Sequence, residues 1–152
     1  MSESHHAASR HSNYAEMTSS SQFKLLLFFK RNPSLSPTEF KANYEANHVP
    51  MVINLAKDSR GLLRYTRRYL DHDGSDPELN NPFPVFGHPA PTIDFDIVNE
   101  VTFDSKANAQ EFSRALYEVE ENAKKLLNDE NKLFVRNQMR GMLVEEIASI
   151  VE

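Results

Sequence analysis

Hydrophobic and polar positions divide the chain into four strand-like and two helix-like stretches, in the order βαββαβ. Phe23 to Lys30 (FKLLLFFK) is a short apolar run bounded by polar residues and then by Asn32-Pro33, the pattern of a central strand buried on both faces. From Ser36 to Asp58 the spacing becomes helical. Ser36 is placed to cap the free N–H groups of the first turn, Pro37 suits the first helical position, and Glu39 completes a capping box. Phe40, Tyr44 and His48 follow at four-residue spacing on one face. Pro50 disfavours helical geometry at Val49, which predicts that the helix ends or kinks beside His48. Met51, Val52 and Leu55 continue a second apolar stripe, and Gly61 is expected to close it as a C-terminal stop.

From Leu62 to Leu70 (LLRYTRRYL) the period changes to two, with Leu63, Tyr65, Arg67 and Tyr69 on one face and Leu62, Arg64, Thr66, Arg68 and Leu70 on the other. Both faces carry arginine. One of them therefore meets a polar cavity, a subunit boundary or solvent, and an ordinary wet strand is the plain alternative. Ile93 to Phe103 alternates again, placing Phe95, Ile97, Asn99, Val101 and Phe103 together. Asn99 interrupts an apolar face; a buried amide must be hydrogen-bonded, so it either satisfies backbone or faces a ligand. Asp104 or Ser105 caps the next helix, whose stripe is Ala109, Phe112 and Leu116. Its acidic region from Glu118 to Glu121 continues toward Lys124 and Lys125 as a solvated face, and the helical part ends between Asp129 and Phe134. Met139 to Ile147 supplies the fourth strand, with Met142 and Val144 alternating against Leu143 and Glu145. Helices on one face of such a sheet leave the other uncovered. A second copy of the same sheet is the simplest cover, so a homodimer is expected.

Two stretches fall outside this pattern. Residues 1–21 have no hydrophobic period and carry His5, His6 and His11, so they are expected to form a flexible arm ahead of a single domain at 22–152. Asp71 to Pro91 holds Gly74, Gly87 and five of the eight prolines, the composition of a functional lid or a disordered loop. Phe83, Val85 and Phe86 argue that it packs onto something. His72 and His88 lie within it, but Asp71, His72 and Asp73 are a poor metal cluster because neighbours on an extended chain point apart.

Composition narrows the chemistry. A chain of 152 residues can bury about two thirds of its unfolded surface around one core. With no cysteine, disulfides, thiolate metal sites and cysteine nucleophiles are excluded, which suits a reducing, cytoplasmic setting. The longest apolar run, Leu25 to Phe29, is too short to span a bilayer and no signal-peptide core precedes it. A net charge of -5 with scattered basic residues gives no footprint for nucleic acid. There is no Gly-rich phosphate loop, serine nucleophile elbow or H-E-x-x-H helix, so neither cofactor nor metal is expected and proton transfer is the chemistry that remains. Histidine as a residue type suits general acid or base work near neutral pH, which makes His48 the candidate, and Tyr44 is placed to orient it or to polarise a carbonyl. The plain reading of His48 is a capping histidine bonded to a backbone carbonyl.

The segment from Ser36 to Ala56, with Phe40, Tyr44 and His48-Val49-Pro50 followed by an apolar turn, resembles the signature of EthD-domain proteins. Asp129-Glu130 through Phe134, and Met142 to Glu146, resemble that family's closing helix and last strand, so the likeness spans Phe23 to Ile147. It implies a ferredoxin-like α+β fold, βαββαβ with a four-stranded antiparallel sheet, assembled as a dimeric α+β barrel with a small-molecule cavity between sheet and helices. It also implies a cofactor-free lyase or cyclase that dehydrates, decarboxylates or cyclises an aromatic polyketide-derived substrate. His48 would be the acid/base and Tyr44 its partner, with Asn99, Arg67, Tyr65, Phe40 and His88 contacting substrate. The same superfamily includes cofactor-independent oxygenases of anthrone-like phenolates, and a non-catalytic small-molecule-binding dimer is the third reading.

Overall fold

Strand β1 (Phe23–Phe29) runs through the middle of a four-stranded sheet in the computed structural model, which describes residues 22–70 and 94–147. It pairs antiparallel with β3 (Ile97–Phe103) on one side and β4 (Arg140–Val144) on the other. Strand β2 (Leu62–Tyr69) adds antiparallel to β3, giving the order β2-β3-β1-β4 of a ferredoxin-like α+β fold. Helices α1 (Pro37–Asn43), α2 (Val49–Leu55), α3 (Lys106–Tyr117) and α4 (Glu120–Leu133) complete the layer. The expected arm, the proline-rich insertion and its histidines, His88 included, lie outside the described residues.

The first helix begins as its sequence dictates. Ser36 Oγ accepts from the Glu39 backbone N–H at 3.2 Å, and the Glu39 carboxylate accepts from the Ser36 N–H at 2.8 Å. Its far end differs from expectation. The chain does not leave helical geometry at Val49-Pro50 but widens into a π-turn over Tyr44–His48, after which α2 continues with His48 and Val49 still in right-handed helical geometry. The Val49 N–H donates to the Tyr44 carbonyl, five residues back. One extra residue in the turn relieves the clash that the Pro50 ring would make with a carbonyl four residues earlier in a regular helix.

Three further boundaries depart from the pattern. Helix α2 ends at Leu55 with Ala56 as its cap, and Gly61 instead leads into β2 at φ +79°, a left-handed conformation in which a Cβ would overlap the Asp104 and Asn108 side chains. Pairing slips between Leu62 and Arg64, so Leu62 turns inward with Tyr65 while Leu63 is 53% exposed. The second helical region is two helices, because Val119 adopts extended geometry. Glu120 and Glu121 then sit in the first turn of α4, where negative charge complements the positive end of the helix dipole, and pair with Lys124 and Lys125.

The core fills the space between sheet and helices. Phe29, Phe40, Tyr44, Val49, Ile97, Leu133 and Phe134 form one cluster, and Val52, Ala56, Leu116 and Leu126 tie α2 to α3 and α4. A third cluster, Val101, Phe103 and Ala109, seats α3 on the sheet.

Candidate functional site

The π-turn points His48 inward, where it is only 4% exposed. Its ring lies over Tyr44 at 4.7 Å between centroids and meets Phe134 edge-on at 5.5 Å. Nδ1 stands 2.7 Å from Oδ2 of Asp129 on α4, a partner 81 residues away in sequence. A carboxylate accepts only, so Nδ1 carries the hydrogen and Nε2 is left as the basic nitrogen. Nε2 has no hydrogen bond among the described residues, and His48 lines a cavity of about 50 Å³ between the sheet and the helices. Leu27, Phe29 and Val101 from the sheet and Val52, Phe112, Leu116 and Leu126 from the helices make its walls largely apolar.

Three other polar side chains reach that wall: Tyr65, Tyr117 and Glu130. Glu130 is 2% exposed. Its Oε1 accepts from the Tyr117 hydroxyl at 3.1 Å. Its Oε2 lies 3.0 Å from Arg136 Nε, near enough to neutralise charge but not aligned as a hydrogen bond, so this oxygen has no hydrogen-bond donor. The Tyr117 ring is half exposed, yet burial of its hydroxyl and the Glu130 charge beside it push its ionisation far above the ordinary phenol range.

Behind the wall lies a chain of polar groups. Tyr44 is 0% exposed; its hydroxyl is 2.7 Å from the Tyr65 hydroxyl and accepts from Asn99 Nδ2 at 2.6 Å. Burial raises the Tyr65 phenol to about 12, and burial with the neighbouring Tyr65 raises Tyr44 further, so both stay protonated at neutral pH. Arg67 donates to Glu45 Oε1 at 2.9 Å and to the Tyr65 carbonyl at 2.8 Å, with its guanidinium 5.0 Å from the Tyr65 ring centre. Burial alone would raise the Glu45 carboxyl, but hydrogen bonds from Tyr69 and Arg67 outweigh it and hold the group below its ordinary value.

Of the residues singled out in the sequence, His48 and Tyr65 reach the cavity. Tyr44 and Asn99 stand behind Tyr65, Arg67 braces Tyr65 from the far side, and Phe40 packs beneath Tyr44 in the core. Asp129, Glu130 and Tyr117 were not singled out as site residues. Glu130 had a legible signal, a carboxylate on the same helical stripe as Leu126 and Leu133. Among the described residues no three histidine, aspartate or glutamate side chains converge as metal ligands, and no helix is long and apolar enough to cross a membrane.

The sequence matches the model of the EthD domain over residues 32–137. The chain belongs to the EthD family. The matched span holds the whole His48, Asp129, Tyr65 and Glu130 arrangement of this EthD domain. Among solved structures it is similar to an EthD family protein from Bacillus halodurans c-125, at 18% identity over 82% of this chain and 98% of that one, with a TM-score of 0.49. An EthD-like protein from Ralstonia eutropha jmp134 aligns at 18% identity over 86% of this chain and 93% of that one, TM-score 0.46. A protein of unknown function from Bacteroides fragilis NCTC 9343, described as dimeric and ferredoxin-like, aligns at 9% identity over 85% and 100%, TM-score 0.49. No curated protein matches the chain.

Proposed function

We propose that this EthD domain is a cofactor-free lyase or cyclase acting on an enolisable, aromatic polyketide-derived small molecule, with His48 as the general acid/base. The observation that carries this reading is the Asp129–His48 pair, which leaves Nε2 without a hydrogen bond among the described residues in a histidine that lines an apolar cavity. Asp129 holds the Nδ1 hydrogen and offsets the positive charge that forms when Nε2 takes a proton from the carbon between two carbonyls. The bonding pair of that C–H moves onto the carbonyl oxygen as an enolate. The imidazolium then returns its proton to a departing hydroxyl, which leaves as water, or to the alkoxide formed when the enolate carbon attacks a second carbonyl. In decarboxylation no C–H is broken: the C–C bond to the carboxylate breaks, its electron pair moves onto the ketone oxygen as the enolate, carbon dioxide leaves, and an imidazolium that took its proton from the substrate's carboxylic acid or from solvent protonates the enolate carbon. A cavity of about 50 Å³ is smaller than the ~150 Å³ that accommodates benzene, so the reacting carbonyl enters while the rest of the substrate lies at the mouth.

The test is the mass change of a panel of aromatic β-keto substrates incubated with the protein, with and without oxygen. Loss of water or carbon dioxide, or cyclisation at constant mass, is the expected result in both atmospheres. Oxygen-dependent mass gain would replace this reading with a cofactor-independent oxygenase, and an inert panel bound with ordinary affinity would favour a carrier.

We also propose that the protein works as a homodimer through the sheet face opposite the helices. Leu26 and Phe28 of β1 share that face with Val98 of β3 and the exposed Met142 of β4, interspersed with Arg64, Arg68 and Glu100. A second copy brings the same apolar centre and paired charges, which the described residues of one chain leave partly open to water. Light scattering of the purified protein should give twice the chain mass at micromolar concentration, and a stable monomer would refute the assembly.

A further inference from the structure

We propose that Asn99 and Tyr44 are positioning residues that turn the Tyr65 hydroxyl hydrogen into the cavity, making Tyr65 the donor for an enolate or phenolate oxygen of the ligand; this rests on the cavity being the working site, as proposed above. Tyr44 sets the direction of these bonds. Its oxygen accepts from Asn99 Nδ2 at 2.6 Å, and its own hydrogen needs an acceptor because the residue is wholly buried. Among the described residues the acceptor within reach is the Tyr65 oxygen at 2.7 Å. Were Tyr65 to donate to Tyr44 instead, the Tyr44 hydrogen would be stranded in the core. The bonds therefore run from Asn99 to Tyr44 to Tyr65.

The direction depends on how the Asn99 amide is turned, and the surroundings decide it. Asn99 Oδ1 is buried without a partner. Rotating the amide would place its oxygen against Tyr44 and strand both N–H groups, where the present orientation leaves one carbonyl oxygen and one N–H without a partner among the described residues. A buried carbonyl tolerates this better than buried N–H groups do. With the amide as it stands, the Tyr65 oxygen is occupied by the Tyr44 hydrogen and its own hydrogen has no protein acceptor among the described residues, while Tyr65 itself lines the cavity.

His48 and Tyr65 on one cavity supply the two functions that enolisation needs: a base for the C–H proton and a donor where negative charge develops on oxygen. Burial keeps Tyr65 a neutral phenol, so it donates rather than repels. Glu130 does not oppose an anion at full strength, since Arg136 lies 3.0 Å from one oxygen and Tyr117 donates to the other. The ligand class is thus an enolisable carbonyl compound or a phenol bound as its anion.

The experiment is the binding of p-nitrophenol to the full chain above and below the pH at which the probe ionises, followed by calorimetry and by the probe's absorbance. Wild type should prefer the phenolate. Tyr65→Phe should weaken phenolate binding by about tenfold, the loss of one charge-assisted hydrogen bond. The sign of Tyr44→Phe is the sharper readout. It should weaken binding by about threefold, because the Tyr65 oxygen loses the bond that polarises its O–H; tighter binding would mean that Tyr65 had been donating to Tyr44 and would overturn the inference. Unchanged binding in a folded Tyr65→Phe variant, or no phenolate binding by wild type, would overturn it as well. His48→Ala should keep the Tyr65-dependent binding even though it removes the base. Failure of the lyase reading therefore appears in turnover, and failure of this inference in the binding of the phenolate.

Discussion

Replacing His48 with alanine should lower turnover by about 10²- to 10⁴-fold, the usual contribution of a positioned acid/base group. The loss should fall on kcat, since the imidazole acts on a proton in flight more than on the resting substrate. Asp129→Asn should approach the same loss by another route. An amide in that place can donate to Nδ1, which puts the hydrogen on Nε2 and leaves no base facing the cavity. The two variants differ in rescue. Added imidazole should restore part of the activity of His48→Ala, whose missing ring leaves a space beside Tyr44 and Phe134, but not that of Asp129→Asn, whose ring is present in the wrong tautomer. Because the ring also packs, melting temperatures must accompany the rates. If His48→Ala melts lower but turns over like wild type per folded molecule, His48 is a packing residue and the acid/base assignment is wrong.

The placing of His48 was half legible in the sequence. The capping box and the Phe40, Tyr44, His48 spacing fix where the histidine sits on its helix, because those are local properties read at one period. They do not reveal what Nδ1 meets. Asp129 lies 81 residues downstream, and its approach depends on α4 starting afresh after the extended Val119 rather than continuing α3. The π-turn was hidden for a similar reason. Pro50 announces that a regular helix cannot continue, but packing of Tyr44 and Val49 in the same core cluster, not local preference, favours widening the turn over ending the helix. In β2 strict alternation put Leu63 on the face of Tyr65, and a single bulge gave that place to Leu62. Asn99 was legible as a buried amide needing a partner; that the partner is the hydroxyl of Tyr44 required the register of β3 against the helix layer.

Phe40→Ala should be the most destabilising of the substitutions considered, costing about 3 to 5 kcal/mol as large aromatic truncations in cores do. Phe40 is 1% exposed and touches the rings of Tyr44, Phe134 and Tyr69 at centroid distances of 5.7, 5.9 and 6.3 Å. Its reach into the site is therefore indirect, since Tyr44 carries the hydrogen bond to Tyr65 and Phe134 flanks His48. In urea the midpoint should fall at unchanged slope, and Phe40→Leu should recover most of the loss by refilling the space. A direct substrate contact would behave in the opposite way, with stability held within about 1 kcal/mol and ligand affinity lost. If the second pattern is found, Phe40 turns toward the cavity in solution, and the packing of α1 against the sheet must differ from the arrangement described.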